Sequence, residues 1–582
     1  MKNNKYIGLM MAAAMVAATS CSDFNDYNEV PGDVLPEGNQ TLWQNISTNQ
    51  NLTDFADMVK LAGFDTELEK SRAYTIFAPK NGSFNKSEYE SMESKDLLQK
   101  FVKNHIAEYN HVATGAQDKR IHTLNEKSYI FEGNGKYTFA GIEISKPNMP
   151  SNNGVIHMLD NNVPFYPNLY EYLKVAENID SLRNYFMRYE ITYLDEANSV
   201  KGPMVDGMQT YIDSVMITEN SLIDKLRAQL DNEDSTYTFI MPTSDAYMKS
   251  YKKISTYYKY VENIEIQDVK NYASATSTDI KTVKVSADYL TDSLARQSIA
   301  NNLIYSNNNF YNKWLVGKGE NMDTIRSTTR TKLSNPEDLL EKYMTGKAVP
   351  MSNGYARIVD SLAIYPWETY CPELKINPKS LSNKFPGSVS EKKESVPDSL
   401  LKKVFGEDFK ETSYKYTTIL ANGDRTLPDF SIELPGVMST TYNFYVVLMP
   451  SAWKKFGNDP RPNWLNFELN YANAAGKATK YYFSKPYADA ILSGETLPAP
   501  AKSVNSTTAF TNDPQKTDTI FIGRFTFPIS YSNIGDYYPS IRITTPISAF
   551  NKKHLETYNR DVRLAAIILK PLEMDEFEAN NK

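Results

Sequence analysis

Two short motifs occur twice in this chain, in the same order. The first is an apolar strand that ends in a proline-bearing turn, at residues 74–84 (YTIFAPKNGSF) and again at residues 235–247 (STYTFIMPTSDAY). The second is an Asn-Gly pair followed by an apolar strand, at residues 153–160 and again at residues 352–360. An internal repeat of this kind indicates duplicated domains. We therefore expect one fold to be used twice.

A third motif lies between the two in the first copy. Residues 97–106 (LLQKFVKNHI) contain His105 within an apolar helical pattern. Together the three motifs resemble the strand, the histidine-bearing helix and the closing strand of fasciclin-like domains. The second copy has residues 299–305 in the middle position, without a histidine, and an extra segment near residues 192–222.

The resemblance implies two compact α/β domains, each a β wedge with helices, that act in adhesion or protein binding. We place the first fasciclin-like domain at residues 39–173 and the second, with insertions, at residues 174–376.

The C-terminal third has a different pattern. Leu465, Phe467, Leu469 and Tyr471 alternate with polar residues, which is typical of a half-buried strand. Similar short strands, separated by Pro, Gly and Asn turns, predict an antiparallel β-sandwich over residues 377–582. The fold class is thus α+β and multidomain: two fasciclin-like α/β domains followed by a β-sandwich.

The N-terminus has the pattern of an export signal. Lys2 and Lys5 precede an apolar run at residues 6–18, which is too short for a permanent membrane span. The next small residues and Cys21 resemble the lipobox of bacterial lipoproteins. We predict a signal peptide at residues 1–20, acylation of Cys21, and a lipidated flexible tether at residues 21–38. The alternative is an ordinary cleaved signal with an incidental cysteine.

The residues after Cys21 make the predicted cellular location more specific. Ser22, Asp23 and Asp26 resemble the acidic signal that sends lipoproteins to the cell surface in one Gram-negative phylum. The prediction is an outer-membrane protein, held in the bilayer by its acylated cysteine, that faces the cell exterior. The alternative is that any disordered tether is polar and often acidic.

Charge and cysteine content exclude two classes of interaction. The net charge is −7 for 63 basic and 70 acidic residues, and an acidic surface repels phosphate backbones, so we expect no nucleic-acid partner. Once Cys21 is acylated, Cys371 has no cysteine partner for a disulfide. We expect Cys371 to be a small buried apolar residue.

No motif indicates catalysis or a metal centre. The chain has five histidines and no HExxH pair, and two cysteines cannot build a cysteine-based zinc site. His105 and His157 lie within the domain motifs, so we expect structural hydrogen bonds from both. Serines at positions 399 and 451 fit SxxK by chance, without accompanying elements. We predict neither a catalytic residue nor a cofactor.

Aromatic residues are the candidate ligand-binding groups. Trp453, Trp464 and Tyr442 in the β domain, and Tyr257 and Tyr258 in a tyrosine-rich cluster, provide rings for stacking on sugars or anchoring a protein. The alternative is that these rings pack in the core or at sheet edges.

Three functional hypotheses remain at this stage. The first is a non-catalytic surface lipoprotein that binds a glycan, peptide or protein and serves a starch-utilisation-type, TonB-dependent import complex, with the transporter and its surface lipoprotein as partners. The second is an adhesin for host matrix or neighbouring cells. The third is a hydrolase carried by the C-terminal β domain.

Overall fold

A computed structural model describes most of the chain. It describes residues 38–205, 207–261, 264–269, 280–317, 320, 322–334, 336–337, 342–362, 364–378, 389–423, 425–531 and 539–581. The first compact unit comprises the described residues up to Val175 together with residues 230–236 and 350–355, and the second unit comprises the rest. None of the helices in these ranges combines the length and apolarity that a membrane crossing requires.

The first unit contains five α-helices and seven complete strands among its described residues. The helices are α1 Leu42–Thr48, α2 Thr53–Leu61, α3 Lys86–Glu90, α4 Ser94–Leu97 and α5 Leu169–Val175, with a π-helix at Leu98–Val102 and a 3-10 turn at Lys103–His105. The strands are β1 Tyr74–Pro79, β2 Ile106–Glu108, β3 Ala116–His122, β4 Ser128–Asn134, β5 Lys136–Phe139, β6 Ile142–Ser151 and β7 Gly154–Leu159.

These strands form one sheet with the order β2-β1-β7-β6-β5-β4-β3. Strand β1 pairs with β7 in parallel, while β1 pairs with β2, and β6 with β7, in antiparallel fashion. All six residues of β1 are buried, as expected for a central strand covered on both faces. The two repeated motifs of the sequence therefore form β1 and β7, which lie side by side as the second and third strands from one edge of the first sheet.

Alternation along β1 separates two cores. Ile76 and Ala78 pack with helices α1 and α2 in one hydrophobic cluster. Phe77, between them, belongs to a second cluster with Phe131 and Phe139, and its ring stacks on Phe139 at 3.6 Å. Successive side chains of a strand point to opposite faces, so a single apolar run supplies both cores.

The second unit begins with a helical and ribbon segment. The elements that follow α5 in the chain are α6 Asp180–Met187, β8 Glu190–Leu194, β9 Val200–Val205, β10 Met208–Asp213, β11 Met216–Asn220, α7 Ser221–Lys225, β12 Tyr237–Pro242, α8 Ser244–Ser255, β13 Ile264–Val269, β14 Ile280–Val285, α9 Ala287–Ala300, β15 Ile304–Ser306, β16 Thr324–Arg326, β17 Lys332–Ser334, β18 Val349–Met351 and β19 Gly354–Val359. Strands β18 and β19 belong in part to residues 350–355 of the first unit. Strands β8 and β11, and β9 and β10, pair only with each other among the described strands.

The repeated motifs occupy equivalent strands. The sheet that contains β12 has the order β15-β12-β19-β18, which matches the β2-β1-β7-β6 part of the first sheet. Strand β12 is buried at all six positions, like β1, and pairs with β15 in antiparallel fashion. The duplication inferred from sequence is thus matched by strand order, while the boundaries at residues 173 and 376 remain a prediction.

The C-terminal part contains two antiparallel sheets. Its elements are β20 Leu374–Ile376, β21 Val389–Val396, α10 Leu401–Phe405, β22 Tyr414–Ala421, β23 Asp429–Glu433, β24 Thr441–Leu448, β25 Trp464–Ala472, β26 Ala478–Tyr482, α11 Lys485–Ser493, β27 Phe510–Thr511, β28 Asp518–Thr526, β29 Ser540–Thr544, α12 Lys552–Thr557, β30 Val562–Pro571 and α13 Leu572–Asn580. One sheet runs β21-β22-β30-β24-β28 with β20 on β30, and the other runs β23-β29-β25-β26 with β27 on β25.

Aromatic side chains lie between these two sheets. Phe525 of β28 contacts Tyr471 of β25 at 4.6 Å and Tyr481 of β26 at 4.9 Å, measured between ring centroids. Phe444 of β24 contacts Phe483, which follows β26, at 5.0 Å. The mixed α and β class with many strands in several sheets is confirmed, and the sandwich as a separate domain remains a prediction.

Strand β25 differs from its predicted half-buried pattern. Its polar residues Asn466 and Glu468 are buried together with the apolar ones. Asn466 accepts a hydrogen bond from Thr508 at 2.8 Å, and Glu468 lies 2.9 Å from the ammonium of Lys480. The alternating pattern predicted that these polar side chains would face solvent, but they are buried and have polar partners within the fold instead.

Candidate functional site

The predicted lipidation and export residues cannot be located in the fold. Cys21, Ser22, Asp23 and Asp26 lie outside the described residues. Their roles remain predictions from the sequence.

Three of the predicted ligand-binding aromatics lie in the interior. Tyr442 is 0% exposed, and its hydroxyl accepts a hydrogen bond from the Met438 amide at 3.2 Å. Tyr257 and Tyr258 are 4% and 5% exposed. Tyr257 donates to Glu573 at 2.7 Å. A ring packed in this way presents no face to a ligand unless these contacts are broken, so the geometry supports core packing at all three positions.

The two tryptophans are half-buried. Trp453 donates its indole N–H to the Gln515 carbonyl at 2.8 Å, and the ammonium of Lys403 lies 5.1 Å from its ring centroid. Trp464 stacks on Tyr558 at 4.7 Å. Each ring already has a partner on one face. Of the five predicted aromatics, these two are the ones with part of the side chain open to solvent.

His105 and His157 form structural hydrogen bonds, as predicted. His105 Nδ1 lies 2.8 Å from the Phe101 carbonyl, and its Nε2 accepts from the Val163 amide at 2.8 Å. His157 Nδ1 accepts from the Asn148 amide at 3.2 Å. Burial lowers the pKa of both imidazoles to about 4, which keeps them neutral at physiological pH.

The first unit carries two adjoining cavities around one lysine. The larger has a volume of about 790 Å³ and the smaller about 250 Å³. Their walls share Asn125, Glu126, Lys127 and Glu171. A volume of several hundred cubic ångströms is in the range of ligand pockets. We take this cleft as the candidate site.

The turn between β3 and β4 positions Lys127. The Glu126 amide donates to the Thr123 carbonyl at 2.8 Å, and Glu126 adopts a positive φ of 65°. Asn125 fixes the turn from inside, because its amide nitrogen donates to the Gln99 carbonyl at 3.0 Å and to Asn104 Oδ1 at 2.9 Å. The rigid turn holds the lysine stem against the protein.

The ammonium of Lys127 lies between two carboxylates. Its Nζ is 2.9 Å from Glu233 Oε1 and 2.8 Å from Glu171 Oε2, and the Lys127 side chain is only 3% exposed. Ser352 Oγ donates to the same Glu233 oxygen at 2.9 Å. A buried ammonium needs such neighbours because an unpaired charge is very unfavourable away from water.

Glu171 is held by a reciprocal cap at the start of α5. The Asn168 amide donates to Glu171 Oε2, and the Glu171 amide donates to Asn168 Oδ1, both at 2.8 Å. This arrangement is a capping box, which fixes the carboxylate at the helix N-terminus. One carboxylate thus caps a helix and neutralises Lys127.

The two cavities have different chemistry. The larger is lined by apolar Leu124, Phe165 and Val175 and by the side chains of Lys100 and Lys103. The smaller is lined mainly by carboxylates and amides, including Asp231 and Asp234. Within the described ranges, no three acidic, histidine or cysteine side chains are arranged to hold a metal. The larger cavity suits a ligand with an apolar body and an anionic or hydroxyl-rich edge.

The residues of this cleft are not linked by any local sequence pattern. Lys127 and Glu233 are 106 positions apart, and no local motif links them. The visible signal was only that Glu233 comes just before the repeated strand.

One comparison with known proteins agrees with the first motif set. The family model for the fasciclin domain matches residues 50–163. A search of curated proteins finds no match. A solved fasciclin domain pair from an insect cell adhesion molecule, fasciclin I, is 12% identical and covers 56% of this chain and 97% of that chain, with a TM-score of 0.18. A xanthan lyase from Paenibacillus is 10% identical over 38% of this chain and 16% of that chain, also with a TM-score of 0.18.

The matched residues include strands β1 to β7, and they supply the cavity wall from Gln99 to Lys127. The family model and the residues of the three motifs agree on the same region. Residues 50–163 therefore form a fasciclin domain.

Proposed function

We propose that this protein is a non-catalytic binding lipoprotein of the outer membrane that captures a macromolecule for a starch-utilisation-type, TonB-dependent import complex. The observation that carries the binding role is the 790 Å³ cavity, most of whose walls come from a fasciclin domain. Fasciclin domains indicate a binding or cell-adhesion role. The proposed location at the cell surface rests on Cys21 and the acidic residues after it.

The cavity favours a ligand segment with an acidic or hydroxyl-rich edge. Lys100 and Lys103 line it on one side, while Leu124, Phe165 and Val175 provide an apolar surface on which a sugar ring or side chain can rest. Most ligand pockets combine an apolar wall with a few orienting polar groups in this way. A glycan or peptide fits this chemistry.

A pull-down of the full lipidated protein tests the import role. The protein is extracted from outer membranes in mild detergent, and its partners are identified by mass spectrometry. Recovery of a transporter and its surface lipoprotein in stoichiometric amounts is the expected result. Recovery of the protein alone would contradict a stable import complex.

A charge reversal tests the cavity. Lys103→Glu places a carboxylate in the cavity wall, and the matched control Lys60→Glu makes the same change on an exposed position of α2. We expect only the first to weaken binding to a panel of acidic polysaccharides and peptides, measured by calorimetry. Equal binding by both variants would remove the cavity from the binding role.

Adhesion is the second candidate, because residues 50–163 form a fasciclin domain and this domain suggests a cell-adhesion or binding role. Beads coated with the protein would then attach to host matrix or to neighbouring cells without any transporter. Attachment by coated beads, together with an empty pull-down, would favour the adhesin. A turnover assay over polysaccharides and peptides tests the absence of catalysis, and product formation would contradict it.

A further inference from the structure

A long β-ribbon projects from the second unit between helices α6 and α7. Strands β8 and β11 form its base and β9 and β10 its outer half. We call residues 190–220 the arm. Each half is about 17–20 Å long at the usual rise of a strand.

The base of the arm is anchored in the fold. The Ser221 amide donates to the Tyr189 carbonyl at 3.2 Å, and the buried Asn220 donates to the Phe186 carbonyl at 2.9 Å. The two halves are joined at Ser199, whose hydroxyl accepts from the Val215 amide at 2.9 Å. The arm is therefore one continuous extension and not a loose loop.

The arm exposes apolar side chains along both of its halves. Of the twenty large hydrophobic side chains exposed in the described ranges, nine lie in the arm: Ile191, Tyr193, Val200, Met204, Val205, Met208, Ile212, Val215 and Met216. Met204 and Met208 are 67% and 71% exposed. The backbones of Val205 and Met208 pair directly near the tip. Clustered exposed apolar residues mark an interaction surface.

A two-stranded ribbon is only marginally stable in water by itself. Exposing apolar groups on such a ribbon is unfavourable, and covering them with another surface is favourable by the hydrophobic effect. The flexible thioethers of Met204 and Met208 adapt readily to a groove of irregular shape. These properties suit a docking element.

Charge decides between the kinds of partner. The sequence of residues 190–220 contains six carboxylates and one lysine, which gives a net charge of −5. A second copy of this chain, with a net charge of −7, would oppose negative charge with negative charge. An anionic lipid surface would repel the arm in the same way.

We propose that the arm docks into a partner protein that has an apolar groove with a rim of lysine and arginine residues. The groove covers the methionines and aliphatic side chains, and the basic rim pairs with the arm's carboxylates. This surface lies outside the cleft around Lys127, so the partner and the cleft's ligand bind to different parts of the chain.

Photo-crosslinking of the full lipidated protein in its native membrane tests the proposal. A photoreactive amino acid replaces Met208, and the control carries it at Leu492, which is 68% exposed on α11. The expected product joins Met208, and not Leu492, to a different protein through a peptide that contains apolar residues beside lysine or arginine. A product with a second copy or with lipid, or no product above the Leu492 control, would overturn the proposal.

Affinity measurements with the purified partner complete the test. We expect the double variant Met204→Ser and Met208→Ser to weaken binding by about tenfold or more, as for central contacts of an interface. Glu196→Lys should also weaken binding and make the affinity less dependent on salt, because one attraction to the basic rim is lost, while Glu407→Lys, exposed elsewhere in the same unit, should change neither. Urea unfolding curves that match the wild-type curve serve as the control that the variants are folded. Wild-type affinity of the double variant would overturn the proposal.

Discussion

Asn153 and Asn353 make the same set of hydrogen bonds in the two repeats. Asn153 Oδ1 accepts from the first amide of α1, at Leu42, at 2.7 Å, and Asn353 Oδ1 accepts from the first amide of α5, at Leu169, at 2.9 Å. Each amide nitrogen also donates to two carbonyls of the loop before the central strand. The Asn-Gly pairs before β7 and β19 thus each hold the start of a helix, α1 or α5, against the strand that follows the pair.

Replacing either asparagine should lower stability. Asn153→Ala leaves a buried amide and two carbonyls without partners, which costs about 2–4 kcal/mol. The measurement is the urea dependence of unfolding, followed by tyrosine fluorescence and circular dichroism. Asn110→Ala, at an exposed position, is the control and should unfold like the wild type. A loss no larger than that of the control would contradict the structural role.

The buried pair of Lys127 and Glu233 gives a second prediction. Lys127→Met leaves the Glu233 carboxylate buried without its cation, and we expect a loss of about 3 kcal/mol in the free energy of unfolding. Adding Glu233→Gln to that variant should recover part of the loss. The control Lys100→Met breaks an exposed pair with Asp96 and should cost about 0.5 kcal/mol or less. Equal losses in both single variants would contradict the burial argument.

The two buried histidines predict a loss of stability in acid. Their pKa is about 4 in the folded protein, because burial disfavours the charged form, and about 6.5 in an unfolded chain. The unfolded state therefore binds more protons between these values. Stability is full above pH 6.5 and falls as the pH drops towards 4, by at most about 1.4 kcal/mol per pH unit for each histidine.

Urea unfolding at pH 7, 6 and 5 measures this slope. His105→Gln should lower stability at pH 7 but give a flatter dependence on pH than the wild type. His122→Gln changes an exposed histidine of the same unit and should follow the wild-type curve. A wild-type slope in the His105 variant would contradict the assignment.

The burial of Cys371 leads to a prediction of how many thiols react in the folded and in the denatured protein. Cys371 is 0% exposed, its Sγ lies 3.4 Å from the Tyr442 hydroxyl, and burial raises the pKa of its thiol to about 12. Ellman's reagent should not react with the folded protein at pH 8. After denaturation, the membrane-extracted protein should show one thiol per chain, because acylation occupies Cys21. Two thiols per chain would contradict the lipid anchor, and Cys371→Ser should show none.

Local patterns carried most of what the sequence could predict. Strand formation is predicted locally at four places: the apolar runs of β1 and β12, and the apolar residues after the Asn-Gly pairs of β7 and β19. Each of these short segments shows the apolar pattern of a strand without reference to distant residues. The structural role of His105 and His157 followed from their place in these motifs. Strand order then repeats because the motifs repeat.

Burial and long-range pairing were beyond local patterns. The sequence around Tyr442 is compatible both with a ligand-binding residue and with a core residue. Only the packing of β24 shows that Tyr442 is buried. Lys127 pairs with Glu233 through contacts that no spacing rule connects. The arm was visible as an extra segment, but its exposure depends on what surrounds it.

The pairing of Lys127 with Glu233 and Ser352 also sets an order of assembly. A chain is synthesised from its N-terminus, so the turn that carries Lys127 emerges well before residues 233 and 352 that complete its surroundings. The surroundings that bury Lys127 are therefore complete only after residues 233 and 352 have been made, although the family match of this domain ends at residue 163. The first repeat thus depends on residues of the second for its buried ion pair.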